Sequence, residues 1–403
     1  MQLLNPMPKL AVLLALLAFP MSSIAQVMVS TVTDEFDASG GVKLGPDGLV
    51  YIGNYGAALP NANGTQIWRY NPVTDTLGVW ATGLNGASGN AFDSQGNFYQ
   101  SNIAGNSISK VTPQGVVSTF VSSGIASPVG IAVDANDNLF VCNCGNNTIQ
   151  RVTPQGSSTT FSSDPLLSCP NGITMDAVGN LYVSNFNNGS VLKLDQAGNT
   201  SLLAVIPGGN NGHLTYNAAD SLLYVASHGS STIYRLTLDG IFLLLAGNGT
   251  RGNTDGPADV ATFSRPNGVA ASATGDTLYI NSSIPTTDVG LPLNPSVLRM
   301  ITGVLLPNNT SASLPQEPLY DVRVAPNPSF ELLTIHFTLE APELVEYTLH
   351  ALDGSLALQS HQHCSAGKNV VREHLSGGFS DGLYLLTVHA GKHRAYRMVA
   401  VHK

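Results

Sequence analysis

The chain has 403 residues, a formal net charge of −9 at pH 7 and only 11% charged residues, against about 25% in ordinary soluble domains. An acidic, charge-poor chain has no basic face with which to neutralise phosphates, which excludes nucleic acid as a partner. Its 41 Gly and 23 Pro mark many short strands joined by tight turns.

Residues 1–25 place Lys9 in a short polar start, then an apolar run from Leu10 to Phe19, then the small residues Ser23 and Ala25. This is the pattern of a secretory signal cleaved after Ala25. The run is too short to span a bilayer and no later segment is long enough, so the expected mature chain is exported and has no transmembrane segment. Four cysteines are too few to supply a disulfide framework at this size, so the core must hold itself.

From residue 27 the sequence repeats itself with a period of roughly 40, the range of propellers and solenoids. The copies read GGVKLGPDGLVYIGN, GNAFDSQGNFYQSN, GIAVDANDNLFVCN, GITMDAVGNLYVSN, GHLTYNAADSLLYVAS and GVAASATGDTLYINS, with aligned glycines Gly41, Gly89, Gly130, Gly172, Gly212 and Gly268. Each copy supplies a first strand, an Asp/Asn/Gly turn and an aromatic-bearing second strand ending in Asn or Ser. A third strand (IWRY, ISKV, IQRV, VLKL, IYRL, VLRM) and a Thr/Val-rich outer strand follow. Four strands per copy without a helical pattern predict an all-β fold, a six-bladed β-propeller over residues 26–304. The last copy lacks an outer strand, and VMVSTVTDEF at 27–36 parallels GVVSTFVSSG ahead of copy three. The N-terminal strand is therefore expected to complete blade six, which removes two exposed sheet edges.

The motif GIAVDANDNLFVCNCGNNTIQRV resembles an NHL repeat, and AGNGTRGNTDGPADVATFSRPNGVA at 246–270 resembles a connection common in NHL propellers. That resemblance implies the propeller fold but no single activity, since such propellers include binding scaffolds, lyases and lactonases.

Residues 305–318 form a Pro/Asn/Ser linker, after which the composition shifts: eight of the ten His lie in 319–403. Residues 319–403 read as about seven alternating strands, a small β-sandwich. Pro326-Asn327-Pro328, the Asp353-Gly354 turn, Gly382-Leu383-Tyr384 entering a strand and an apolar-basic final strand resemble the type A C-terminal sorting domain of the Bacteroidetes type IX secretion system. The resemblance implies export through the type IX machinery and a secreted, extracellular or outer-membrane-surface location.

Candidate chemistry is sparse. In a blade whose first strand lines the axis, the connections into strand one and between strands two and three share one face, here called the top. Three insertions fall there: Asn54–Gly64 in copy one, Ser282–Asn294 in copy six, and the connection 246–267 between copies five and six. Ring closure makes these blades neighbours, so the insertions should meet over one sector, the best pointer to a ligand site. Ser88, Val129, Asn171, Asn211 and Asn267 precede aligned glycines, and His213 and His228 lie in copy five; Asn171, Asn211, Asn267, His213 and His228 are the candidate ligand-binding residues. The Pro-Asn-Gly at Asn171 and Asn267 resembles positions at which gluconolactonase-like propellers hold a divalent metal. That family's acidic ligand in the first blade has no counterpart, since Ser39-Gly40-Gly41 stands there.

Asp93, Asp134 and Asp176 recur at the end of strand one and are read as Asx-turn caps rather than a carboxylate ring. Arg69, Lys110, Arg151, Lys193, Arg235 and Arg299 put one basic residue in every third strand, expected to snorkel to the bottom face and meet turn carboxylates. Cys142 and Cys144 end a second strand and Cys169 begins the next copy; a Cys144–Cys169 disulfide is expected, with buried free thiols as the alternative. His361-x-His363-Cys364 has metal-like spacing but stands alone. The expected function is an exported binding scaffold for a glycan, peptide or protein, without a cofactor or metal. The competing expectation is a lactonase-like hydrolase or lyase with a metal-dependent site at the axial mouth.

Overall fold

The structure, a computed structural model, describes residues 27–285 and 292–305, and in the C-terminal part 320–324, 329, 332–351, 356–375, 379, 382–391 and 393–401. The expected signal segment 1–25, nearly all of the expected linker, and Pro326, Asn327, Pro328 and Gly354 lie outside the described residues. The chain divides into two compact units, 1–308 and 309–403.

In the first unit every described element is a strand, and the strands form six antiparallel sheets. Five sheets have four strands in sequence order; blade three, for example, runs Pro128–Val133, Leu139–Asn143, Thr148–Val152 and Ser158–Ser162. The sixth contains Val269–Ala271, Thr277–Ser283 and Ser296–Thr302, and takes its fourth strand from the N-terminus, Met28–Thr31. Met28 pairs with Thr302 and Thr31 with Arg299, and the pairing extends to Phe36, which exchanges backbone hydrogen bonds with Ser296. A two-residue strand, Gly256–Pro257, then covers the outer edge of Met28–Thr31. The first strands of consecutive blades touch all round the ring, blade six against blade one. The fold is thus a closed β-propeller.

The aligned glycines form its innermost layer. A methyl group on Gly89 would lie 2.3 Å from the Val129 carbonyl oxygen, and one on Gly268 would lie 2.5 Å from the Val42 nitrogen. At this level the blades meet closely, which leaves no room for a side chain on the glycines themselves. Burial then falls outward: the second strands are buried on both faces, whereas outer strands such as Val117–Val121 are largely part-buried or exposed. Apolar clusters fill each space between blades, such as Tyr182, Leu214, Leu223 and Leu236 between blades four and five.

Two repeated side-chain devices hold the turns. Asp176 accepts hydrogen bonds from the Val178 and Asn180 amides, the Asn180 side chain and the Tyr182 hydroxyl, and Asp93 repeats the set with Gln95, Asn97 and Tyr99. At the other face, the Asn ending a second strand fixes the incoming connection. Asn143 Oδ1 accepts the Ala126 amide and its Nδ2 donates to Gly124 O, and Asn185 does the same with Ser168 and Leu166.

The described residues of the second unit form a sandwich of seven strands. One sheet comprises Tyr320–Val324, Leu332–Leu339 and Gly367–His374; the other comprises Leu356–Cys364, Glu343–Ala351, Gly382–Ala390 and His393–Val401. Their inward residues, Leu333, Ile335, Phe337, Val345, Leu349, Leu386 and Val388 among them, form one buried cluster. Tyr384 is buried and stacks edge-on against Phe379. His361 and His363 face solvent while Cys364 turns into the core, so the three do not form a common donor set.

Candidate functional site

The three top-face insertions are joined to one another. The Leu293 amide donates to Ala57 O at 2.9 Å, and Asn294 Nδ2 donates to Asn54 Oδ1 at 3.0 Å. From the 246–267 connection, Arg265 Nη1 donates to Pro292 O at 2.9 Å. Material from blades one and six and from the link between blades five and six thereby makes one rim over one sector of the ring.

His228, at the end of blade five's second strand, stands beside this rim. Its ring packs at 5.7 Å against Phe186 of blade four, and its Nδ1 is buried without a hydrogen-bond partner among the described residues. Burial, reinforced by the positive charges of Arg265 and Arg251, lowers its pKa to about 4. Arg251 is exposed and Arg265 buried, so the sector presents a positive group to solvent above a neutral imidazole. The sequence carried a signal for these arginines. Of nine Lys and Arg between residues 27 and 304, six fall in the repeated third-strand slot; the three that depart from it are Lys43, Arg251 and Arg265.

The other candidates hold the ring together. Asn171 Nδ2 donates to Asn211 O at 2.8 Å, Asn267 Nδ2 to Ser39 O at 2.7 Å, and Asn211 Nδ2 to Gly189 O at 2.7 Å. These amide N–H groups link neighbouring elements rather than project into an open mouth. His213 lies on the axis itself: its amide donates to Asn267 O, and its Cε1 is 3.4 Å from where a methyl group on Gly41 of blade one would lie. The ring therefore reaches across blade six, is 7% exposed, and has an Nε2 with no partner among the described residues. Burial alone lowers its pKa to about 4.

The donors for a lactonase-type metal do not fit. No three His, Cys, Asp or Glu come together among the described residues, Ser39 stands at the matching first-blade position with its hydroxyl on Gly56 O, and hard cations need carboxylate oxygens. Asp93 and Asp176 are occupied as turn caps, as described above. Cys144 and Cys169 are joined in a disulfide that links blades three and four at the top, while Cys142 and Cys364 are free and buried.

Arg299 departs from its expected place. In five blades the second-strand aromatic pairs with the third-strand basic residue, as Tyr99 with Lys110 and Tyr182 with Lys193. Lys110 lies over the Tyr99 ring and 3.9 Å from Asp93. In blade six, however, Tyr279 pairs with Met300 and Arg299 with Ile280. A one-residue offset turns a side chain to the opposite face of the sheet. Arg299 is consequently fully buried, donating to Thr262 O and Thr254 O and paired with Asp255.

Comparison with known proteins gives a fold but no activity. A family model for the NHL repeat matches residues 126–152. Among solved structures, the chain is similar to an auxiliary nutrient binding protein from Bacteroides ovatus, with 16% identity and a TM-score of 0.54 over 69% of this chain and 76% of that one. It is similar also to a gluconolactonase from Xanthomonas campestris, with 14% identity and a TM-score of 0.53 over 69% and 90%. A third, of unknown function and from Bacteroides thetaiotaomicron, has 15% identity and a TM-score of 0.53 over 68% and 76%. No curated protein sequence matches the chain.

Proposed function

We propose that this propeller is an exported binding scaffold whose ligand, a glycan, peptide or protein, docks on the top-face rim over blades five, six and one. The observation that carries this reading is the joining of three separate insertions through Ala57, Asn54, Pro292 and Arg265. Loop material that is cross-braced by backbone bonds is pre-organised, which lowers the entropy cost of association. Arg251, exposed beside His228, offers an acidic group on the ligand a charge-assisted hydrogen bond. A fold shared by a nutrient-binding protein and a gluconolactonase leaves function to the site, and here the site offers a surface without a metal-ligand set among its described residues.

The sandwich serves export in this reading: the signal segment 1–25 crosses the inner membrane and residues 319–403 engage the type IX machinery, through Pro326, Asn327, Pro328, Gly354, Gly382 and Tyr384. Two experiments test the pair of proposals. A glycan and peptide array probed with wild type and Arg251→Ala should yield a ligand whose binding falls about tenfold or more in the variant, one good charged contact being worth about 1.5–3 kcal/mol. Turnover of a lactone panel that is lost on His213→Asn would replace the scaffold reading with an enzymatic one. For export, the full chain and a chain ending at residue 318 are expressed in a type IX-competent host and the secreted forms weighed by mass spectrometry; equal secretion of both removes the sorting role.

A further inference from the structure

At the end of the axis opposite the insertions, blades one, five and six leave a cavity of about 290 Å³, near the lower bound of small-molecule sites. Lys43 and Leu44 line it from blade one, Thr215 and Tyr216 from blade five, and Ala271 and Ser272 from blade six. Its origin is local. The inner strands of blades one and six have only three residues each, Val42–Leu44 and Val269–Ala271, whereas that of blade five runs on through Asn217, and Ala271 leaves space where the other blades place Leu44, Phe92, Val133, Met175 and Tyr216.

Among the described residues of the lining, Lys43 alone is charged. No carboxylate among the described residues pairs with it. Its side chain is half-buried by the cavity walls, and that loss of water holds its ammonium below the ordinary lysine range. A cation that has lost part of its water without gaining a counter-charge favours any anion able to reach it. One ammonium balances one negative charge, and a phosphate dianion would call for a second donor such as arginine.

We infer that this cavity binds a small organic monocarboxylate, with its carboxylate on Lys43 Nζ and its apolar body against Leu44 and the alanines. The site lies at the other end of the ring from the proposed ligand rim, so the two stand or fall separately.

The test is acetylation of the full chain at limiting acetic anhydride, followed peptide by peptide by mass spectrometry, with butyrate, butyramide or inorganic phosphate present. Butyrate is expected to slow modification of Lys43 at least about fivefold, about 1 kcal/mol, while leaving Lys110 and Lys193 unchanged; butyramide and phosphate should leave all three unchanged. Ala271→Leu, which fills the cavity and keeps the lysine, should abolish the protection. If that variant does not fold, Lys43→Met serves instead, and the rise in Tm that butyrate gives wild type should vanish in it. Equal protection by butyramide would mean apolar contact only, equal protection by phosphate a general counter-ion effect, and no protection an empty cavity; each overturns the proposal.

Discussion

Arg299 Nη2 lies 2.8 Å from Asp255 Oδ1, joining a fully buried guanidinium to a carboxylate that is 48% exposed. The same carboxylate accepts the Thr31 amide at 3.0 Å and the Thr31 hydroxyl at 2.9 Å. Asp255 thus ties the third strand of blade six, the 246–267 connection and the N-terminal closing strand into one unit, and this is the point at which the ring is locked.

Arg299→Met should therefore lower stability by about 3 kcal/mol, because it leaves the Thr254 and Thr262 carbonyls without their donor and strips Asp255 of its partner. Asp255→Ala should cost at least as much, about 3 kcal/mol, since it leaves the buried guanidinium without a counter-charge and the Thr31 amide and hydroxyl without their acceptor. Urea unfolding gives the two values, and hydrogen exchange should show the amides of 28–31 opening first. Unchanged exchange there would mean that the strand is held without the carboxylate.

Two glycines separate packing from backbone conformation. Gly89→Ala should cost more than 3 kcal/mol or prevent folding, as its methyl group would sit 2.3 Å from the Val129 oxygen, a clash beyond ordinary overpacking. Gly78→Ala, with open space around it and no left-handed backbone, should stay within about 0.5 kcal/mol of wild type. Thermal unfolding of the two variants side by side checks both values.

The Cys144–Cys169 disulfide closes a sequence separation of 25 residues, for which chain entropy gives about 3 kcal/mol. The double Ser variant should lose about that much in urea. Thiol titration of the oxidised native protein should detect neither Cys142 nor Cys364 until it unfolds, since both are buried and burial pushes the Cys142 thiol far above its ordinary range. Rapid labelling of native Cys142 would contradict the packing between blades three and four.

The pH profile is set by histidines held neutral. His213 and His228 titrate near 6.5 when unfolded and at about 4 when folded. Below pH 6.5 the unfolded chain takes up protons that the folded one does not, so stability should fall as the pH drops from 6.5 to about 4 and level off beneath that. For the buried His213 the loss amounts to about 3 kcal/mol. Denaturation midpoints between pH 7 and 4 should flatten in His213→Asn; an equal slope in wild type and variant would show that the ring does not stay neutral on the axis.

The repeat, the blade number and the completion of blade six by residues 27–36 were legible in the amino-acid order, because alternation and turn chemistry are local properties of the backbone and recur at constant spacing. The Asp turn caps were legible for the same reason: every partner of Asp176 lies within six residues. The face on which Arg299 lies was hidden, since blade six pairs one residue out of the register of the other five and only strand pairing reveals that. Nor did the order of residues disclose that the amides of Asn171 and Asn267 bond neighbouring blades, or that Lys43 stands in the axial cavity without a carboxylate partner among the described residues. Those depend on which blades come to face one another across the closed ring, and distance along a chain carries no record of that.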